Sequence, residues 1–473
     1  MICLMISPIM CSLVLFSLSL LSPNDDPARY VVVDTSSVGR AAFLALDLDV
    51  VGPTADRQGL EIIARGADLA RLDELGVSYR ISVEDLEAHY ASRLARVDPT
   101  IQMAGTGSTI TPGFTQGSIG GYHSWSEVVS ILDQLTAQFP NLMTPKQSLG
   151  QTIEGRDIWF VKISDNPGVD ENEPEVRVDA LHHSREPMGM ESSLYFVIWL
   201  LENHGTDPLA TYLVNEREIY YVPVVNPDGY VYNEINNPNG GGLWRKNRRD
   251  NPSSSSFGVD LNRNYPYEWG FDNIGSSSSP SSTTYRGTGP ASEPETQAMV
   301  AFMAARDFGV ALSIHCFSDV WLIPWGYDDN DPLPDGNAIN EVGDLAAASL
   351  GWPVGSGLAL LGYPANGVTN DYDYGMHGTF SYTPEIGDSS QGFWPSTSDI
   401  LPLAQEMLLP YQETVLSGGP HVNLDGNVTL VDLGNGDGFF EPGESVGVLV
   451  GVRNAGRDAS TTSVAVQSND ADL

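Results

Sequence analysis

Two histidines and a glutamate carry the first chemical signal in this sequence. In Val176-Arg-Val-Asp-Ala-Leu-His-His-Ser-Arg-Glu-Pro, a strand-like run enters a loop that holds His183 and Glu186 at the spacing His-x-x-Glu. Pro187 can open a helix at its first turn, where a missing N–H costs nothing. A third donor, His315, closes the strand-like run 310–315, with 128 residues between it and Glu186. Two imidazoles and one carboxylate leave the fourth position of a tetrahedral zinc open, the arrangement of a catalytic rather than a structural site. Open α/β sheets place their ligands in loops at the carboxyl ends of strands. Alone, His-x-x-Glu is weak, and a strand-end histidine is more often a hydrogen-bonded polar residue than a ligand. His182 is a poorer candidate, because the residue three positions on is Arg185.

Such a site needs a scaffold. Residues 118–417 mix buried-type strands with amphipathic helices, which predicts an α/β domain: a mixed β-sheet with helices on both faces. Residues 25–105 alternate strand-like runs (29–34, 60–64, 77–81) with helical ones (67–75, 83–95), a small α+β unit. Between them, 106–117 is rich in Gly, Thr, Ser and Pro and reads as a linker that a protease can reach. Residues 418–473 read as a β-sandwich-like domain with strands at 446–452 and 462–466. That domain is short for a sandwich and is expected to be cut off at Leu473. Residues 1–24 carry no charged side chain and read as a signal peptide, with a retained membrane anchor as the alternative.

Composition narrows the function. The chain of 473 residues has 61 acids, 23 bases and a net charge of −38, which argues against nucleic-acid or anionic-membrane partners. Cys3, Cys11 and Cys316 are its only cysteines, and the first two lie in the expected leader, so no disulfide framework is expected. The middle domain holds 39 acids against 13 bases. Seven of those bases, Arg185, Arg245, Lys246, Arg248, Arg249, Arg263 and Arg286, fall in or near the candidate motifs. A cationic spot on an acidic domain suits an anion-recognising site.

The segments His183-Ser-Arg-Glu186, Trp244-Arg-Lys, Gly258-Val-Asp-Leu-Asn-Arg-Asn, Ser313-Ile-His315 and Thr383-Pro-Glu385 occur in that order. Together they resemble the zinc carboxypeptidases related to pancreatic carboxypeptidases A and B, over roughly 118–417. Carboxypeptidase A is itself a standing example of a His₂Glu zinc site. The resemblance implies one catalytic Zn²⁺ on His183, Glu186 and His315, with Glu385 as general base and Arg245 facing the oxyanion. It implies that Asn262 and Arg263 hold the substrate's terminal carboxylate, that Tyr363 closes over substrate, and that Asp260 orients a ligand histidine, His183. It places Asn370 on the floor of the pocket for the last side chain, which predicts aromatic or aliphatic preference; a one-residue slip would put Asp371 there instead. Cys316 and Phe317 depart from the family pattern, and Pro384 demands either an edge strand or a missing ladder hydrogen bond. The 25–105 unit is similar to the prosegment that shields such enzymes until cleavage.

The expected protein is a secreted, monomeric proenzyme that removes single residues from peptides with a free C-terminal carboxylate. It has no membrane partner once the leader is cut. Two rivals remain: a zinc amidohydrolase or deacylase of N-acyl amino acids, which the Asn262-Arg263 pair disfavours, and a non-catalytic binding protein, which the intact ligands disfavour. In the tail, Asp432-Leu-Gly-Asn-Gly-Asp-Gly with Glu444 partly fits a Ca²⁺ loop, but Leu433 stands where an acid belongs. A Gly-rich hairpin turn fits those residues better.

Overall fold

The computed structural model describes residues 26–54, 59–94, 113–420, 422–432, 446–454 and 456. The expected leader, the strand at 462–466 and the loop 433–445 considered for Ca²⁺ lie outside the described residues.

The N-terminal unit runs β1 (Arg29–Val33), α1 (Arg40–Leu44), β2 (Asp49–Pro53), β3 (Leu60–Ala64), α2 (Gly66–Glu74), β4 (Tyr79–Val83) and α3 (Leu86–Arg93). Its antiparallel sheet has the order β2-β3-β1-β4, around Val31, Val33, Leu60, Ile62 and Leu72. Strand β2 was not expected from the sequence, since its Gly-Pro end reads as a turn. It forms as an edge strand, the one place a sheet accepts proline readily. The helix predicted at 83–95 begins only at Leu86, because Val83 belongs to β4 and Asp85 caps the helix by accepting from Ala88 N at 2.9 Å.

The larger body begins with α4 (Trp125–Gln138), β5 (Gln147–Gln151), β6 (Asp157–Ile163), β7 (Glu175–Ala180) and α5 (Pro187–Asn203). It continues through α6 (Pro208–Asn215), β8 (Glu218–Val222), α7 (Pro227–Asn236) and the two-residue strands β9 (Asp250–Asn251) and β10 (Ser256–Phe257). Then come α8 (Pro294–Ala304), β11 (Phe308–Ile314), β12 (Val320–Leu322), α9 (Gly336–Ala347), β13 (Val354–Gly355) and α10 (Gly357–Leu361). The body ends with α11 (Thr369–His377), β14 (Phe380–Glu385), α12 (Ile400–Glu406) and α13 (Leu408–Leu416). Its sheet has eight strands in the order β13-β12-β14-β11-β7-β8-β6-β5. The central four, β14, β11, β7 and β8, run parallel, and antiparallel neighbours flank them.

Every residue of β7 and β8 is buried, as parallel strands covered on both faces require. Alternation then divides the core in two. Val176, Val178, Ile219 and Tyr221 join the α5 and α13 side, whereas Tyr220 and Val222 join Met299 and Phe302 of α8 and Tyr372 of α11. Arg177 of β7 is fully buried and donates to Asp179 at 2.7 Å and to both oxygens of Asp373 on α11 at 2.6 and 2.7 Å. Ser381 of β14 donates to the same Asp373 at 2.7 Å. This satisfied network ties α11 and β14 to the central strand; removing one partner of such a buried pair typically costs about 3–5 kcal/mol.

β14 is an interior strand, so Pro384 forgoes a ladder hydrogen bond and is not at an edge. Within the expected linker, residues 113–117 pack on the body: Phe114 is buried against Tyr195, and Gln116 donates to Thr397 O at 3.0 Å. After the body, β15 (Val422–Asp432) pairs antiparallel with β16 (Val446–Asn454). Among the described residues, no helix is long and apolar enough to cross a membrane.

Candidate active site

The parallel register between β7 and β11 sets Ile314 beside Ala180, so His315 and the loop that follows β7 leave the sheet side by side. That loop is pinned from several directions. Leu181 takes the left-handed conformation at φ 58° and accepts from Asn226 N at 3.0 Å. Asn226 Nδ2 donates to His182 O at 3.1 Å, Ser184 N donates to Arg245 O at 3.1 Å, and Asn233 Nδ2 donates to Ser184 O at 2.9 Å. Glu186 is the N-cap of α5, with Pro187 in its first turn as the sequence indicates.

The result is convergence. His183 Nδ1 lies 2.9 Å from Glu186 Oε1, His315 Nδ1 lies 2.8 Å from Glu186 Oε2, and the two Nδ1 atoms are 3.0 Å apart. His183 Nε2 sits 3.1 Å from Asp260 Oδ1, a contact that requires a proton on Nε2 and leaves the Nδ1 lone pair free. Three buried groups rich in lone pairs thus face one another, an arrangement that repels unless a cation stands among them. Their spacing is close to the edge of about 3.3 Å expected for a tetrahedron with zinc bonds near 2.0 Å. The residues fit one zinc with an open position. Burial and the Arg245 guanidinium push the His183 pKa down, favouring the neutral ligand form. Burial opposes ionisation of Glu186, but His183 and His315 outweigh it and hold the carboxyl below its usual range. His182 points elsewhere, 2.8 Å from Tyr265 Oη, and does not line the cavity.

Around these donors the cavity is lined by Arg245, Asn262, Arg263, Tyr363, Asn370 and Glu385. Arg245 donates through Nε and Nη2 to Asp260 at 3.0 and 2.9 Å, while its Nη1 lies 3.6 Å from Glu186 Oε1. Burial works against the Asp260 charge, yet Arg245 and His183 keep its pKa well below the ordinary value. Asn262 accepts from Thr369 N at 2.9 Å and turns its amide nitrogen to within 3.3 Å of His315 Nε2. Arg263 is buried and donates through Nη1 to Asn262 O at 2.7 Å, and its Nε has no hydrogen-bond partner among the described residues. Glu385 ends β14 beside His315, and burial raises its pKa to about 8; a dication nearby acts in the opposite sense. Tyr363 is likewise raised by burial, to about 12. Asn370 lines the cavity with Leu322, Ile323, Leu361 and Val368, whereas Asp371 turns away and accepts from Gly326 N at 2.8 Å.

Sequence reasoning missed two features. Arg185 stands inside the first motif but had no role assigned; its guanidinium stacks on Phe393 at 4.1 Å and donates to both oxygens of Asp49 at 2.6 and 2.9 Å. Asp49 belongs to β2 of the N-terminal unit, and the next residues, Val50 and Val51, line the same cavity as His183 and Glu186. With that strand in place the cavity retains only about 70 Å³ of free volume, well short of the several hundred Å³ of a usual ligand site. Nothing local marks this contact, because a long-range pairing between an unpredicted strand and one arginine has no period or motif.

The sequence model described as zinc carboxypeptidase matches residues 128–409. Carboxypeptidase A1 of Bos taurus is 32% identical over 346 residues, which is 72% of this chain and 78% of that protein. A zinc carboxypeptidase of Saccharothrix mutabilis subsp. capreolus is 33% identical over 410 residues, 82% of this chain and 90% of the relative. The solved carboxypeptidase A of Helicoverpa armigera superposes with a TM-score of 0.69 at 26% identity, covering 83% of this chain and 98% of that one. These matches agree with the order of the motifs and with the convergence of His183, Glu186 and His315: the chain belongs to the zinc carboxypeptidase family and is a metallocarboxypeptidase-type hydrolase.

Proposed function

We propose that this protein is secreted as a proenzyme and removes one residue at a time from the C-termini of peptides, favouring neutral aromatic or aliphatic residues. The observation that carries the reading is that buried Arg263 and Asn262 line the same cavity as His183 and Glu186, with Asn262 also 3.3 Å from His315. A desolvated guanidinium with an unpartnered Nε calls for a carboxylate, and a carboxylate beside a hydrolytic centre selects chain ends over internal bonds.

A zinc ion held by His183, Glu186 and His315 would polarise the scissile carbonyl and lower the pKa of a coordinated water. Glu385, at the cavity wall, takes a proton from the attacking water and delivers it to the leaving amine as the C–N bond breaks. The net reaction adds one water, oxygen to the carbonyl carbon and hydrogen to nitrogen. Arg245 has Nη1 free of Asp260 and directed toward the metal donors, where negative charge develops on the carbonyl oxygen. Arg263 and Asn262 grip the terminal carboxylate, and Tyr363 shields it from water. Leu322, Ile323, Leu361 and Val368 supply an apolar wall for the last side chain, and neutral Asn370 offers no partner to a buried cation. The N-terminal unit acts as a plug, with Asp49 on Arg185 and Val50 and Val51 in the cavity.

Four outcomes test this reading. A peptide ending in a free carboxylate is hydrolysed and its C-terminal amide is not, as mass analysis of products will read; equal rates would point to an endopeptidase or deacylase. In the same assay Glu385→Gln keeps its zinc and loses about a hundred- to ten-thousandfold in kcat, and near-normal turnover would remove Glu385 from the role of base. Asn370→Asp moves the kcat/KM ratio for peptides ending in Arg versus Phe toward Arg by about tenfold or more; no movement would place the pocket floor elsewhere. The uncut chain is far less active than chain nicked within 95–112, and equal activity of the two would end the proenzyme reading.

A further inference from the structure

Beside the zinc cavity lies a second, larger groove of about 520 Å³, and the two share Arg185 and Arg245 as a common wall. Its catalytic-body lining adds Lys246, Arg248, Trp244 and Phe257. Four cations of the larger body, with Arg65 of the N-terminal unit, along one groove are a sharp local excess in a chain with net charge −38. Arg248 is held ready. Its guanidinium sits 3.9 Å from the Tyr232 ring centroid, 4.5 Å from that of Trp244 and 5.0 Å from that of Phe257. Its Nε is buried without a hydrogen-bond partner among the described residues, and its one ion pair, to half-exposed Glu154, is long at 3.8 Å. Aromatic faces orient a cation without consuming its N–H donors, which leaves them free for an incoming anion.

The chain itself shows how a peptide threads both spaces. Strand β2 is extended; Asp49 lines the groove and binds Arg185 through both oxygens, and Val50 and Val51 then enter the zinc cavity. The chain therefore runs from groove to cavity in the N-to-C direction. A carboxypeptidase substrate must run the same way, with its terminus in the cavity and earlier residues in the groove. On that path a carboxylate, not an apolar or basic side chain, meets the arginine.

We propose that the groove reads negative charge upstream of the scissile bond, so that the favoured substrates are peptides carrying Asp or Glu in the few residues before the C-terminal one. The proposal rests on the carboxypeptidase reading above. It also separates two uses of the arginines. Seating the N-terminal unit does not account for Arg248, whose charge and ring contacts, to Glu154, Tyr232, Trp244 and Phe257, all lie within the larger body.

The test uses the zinc-loaded full chain nicked within 95–112, with both pieces retained. Its substrates are Ala-Glu-Glu-Ala-Phe, Ala-Ala-Ala-Ala-Phe and Ala-Lys-Lys-Ala-Phe, each as free acid and as amide. The expected order of kcat/KM is Glu over Ala over Lys, with a Glu-to-Ala ratio of about tenfold or more, as charge-assisted hydrogen bonds supply. Arg248→Gln should narrow that ratio. Should the variant fold poorly, added salt should narrow it in the wild-type protein, because exposed charge attraction is screened. Equal rates for the three free acids, or preference for the Lys peptide, would overturn the groove while leaving the exopeptidase reading intact. Cleavage of the amides at the rate of the acids would overturn both.

Discussion

The site depends on one constraint, the parallel register of β7 against β11. His183 and His315, 132 positions apart in sequence, come within 3.0 Å because Ile314 lies beside Ala180 and both strands end there. A slip of one residue would turn His315 to the other face of the sheet and abolish the cluster. The register is held from beneath by polar groups that cannot be moved cheaply. Arg177 and Asp179 of β7 are buried and reach Asp373 of α11 and Ser313 of β11, so a slipped sheet would strand charges without partners. The same network fixes α11, whose first residues Thr369 and Asn370 support Asn262 and line the cavity.

Much of this was legible beforehand, for identifiable reasons. Metal ligation needs particular side chains, so His183, Glu186 and His315 announce themselves by type. Their supporting strands and the helix opened by Pro187 announce themselves by apolar runs and by proline placement. Asn262, Arg263, Arg245 and Glu385 carried no such signal alone and were reachable only through resemblance. What stayed hidden was set by tertiary contact: the edge strand β2, its Asp49 on Arg185, the packing of 113–117, and the interior position of β14 despite Pro384. Residue type does not reveal whether an arginine is solvated, paired or stacked; Arg185 and Arg248 differ from their neighbours only in what surrounds them.

Charge unifies these observations. The molecule is strongly acidic, yet several of its cations gather around one cavity: Arg263 against the Asn262 carbonyl, Arg245 against Asp260 and Arg185 against Asp49. Burial strengthens each of these contacts and raises the cost of leaving a guanidinium alone. The N-terminal unit meets that need at Arg185 with its own Asp49. In the proposed reading, occlusion and recognition use the same arginine, and the N-terminal unit stands in for a peptide substrate.

Every role proposed for the cavity depends on the metal. Purified chain dialysed against zinc and then metal-free buffer should retain one zinc per chain, read by elemental analysis. A His183→Ala, His315→Ala double variant, with its fold checked by circular dichroism, should retain none, since one carboxylate cannot hold the ion. One zinc per chain in the folded double variant would place the metal elsewhere and contradict the assignment on which the remaining roles are built.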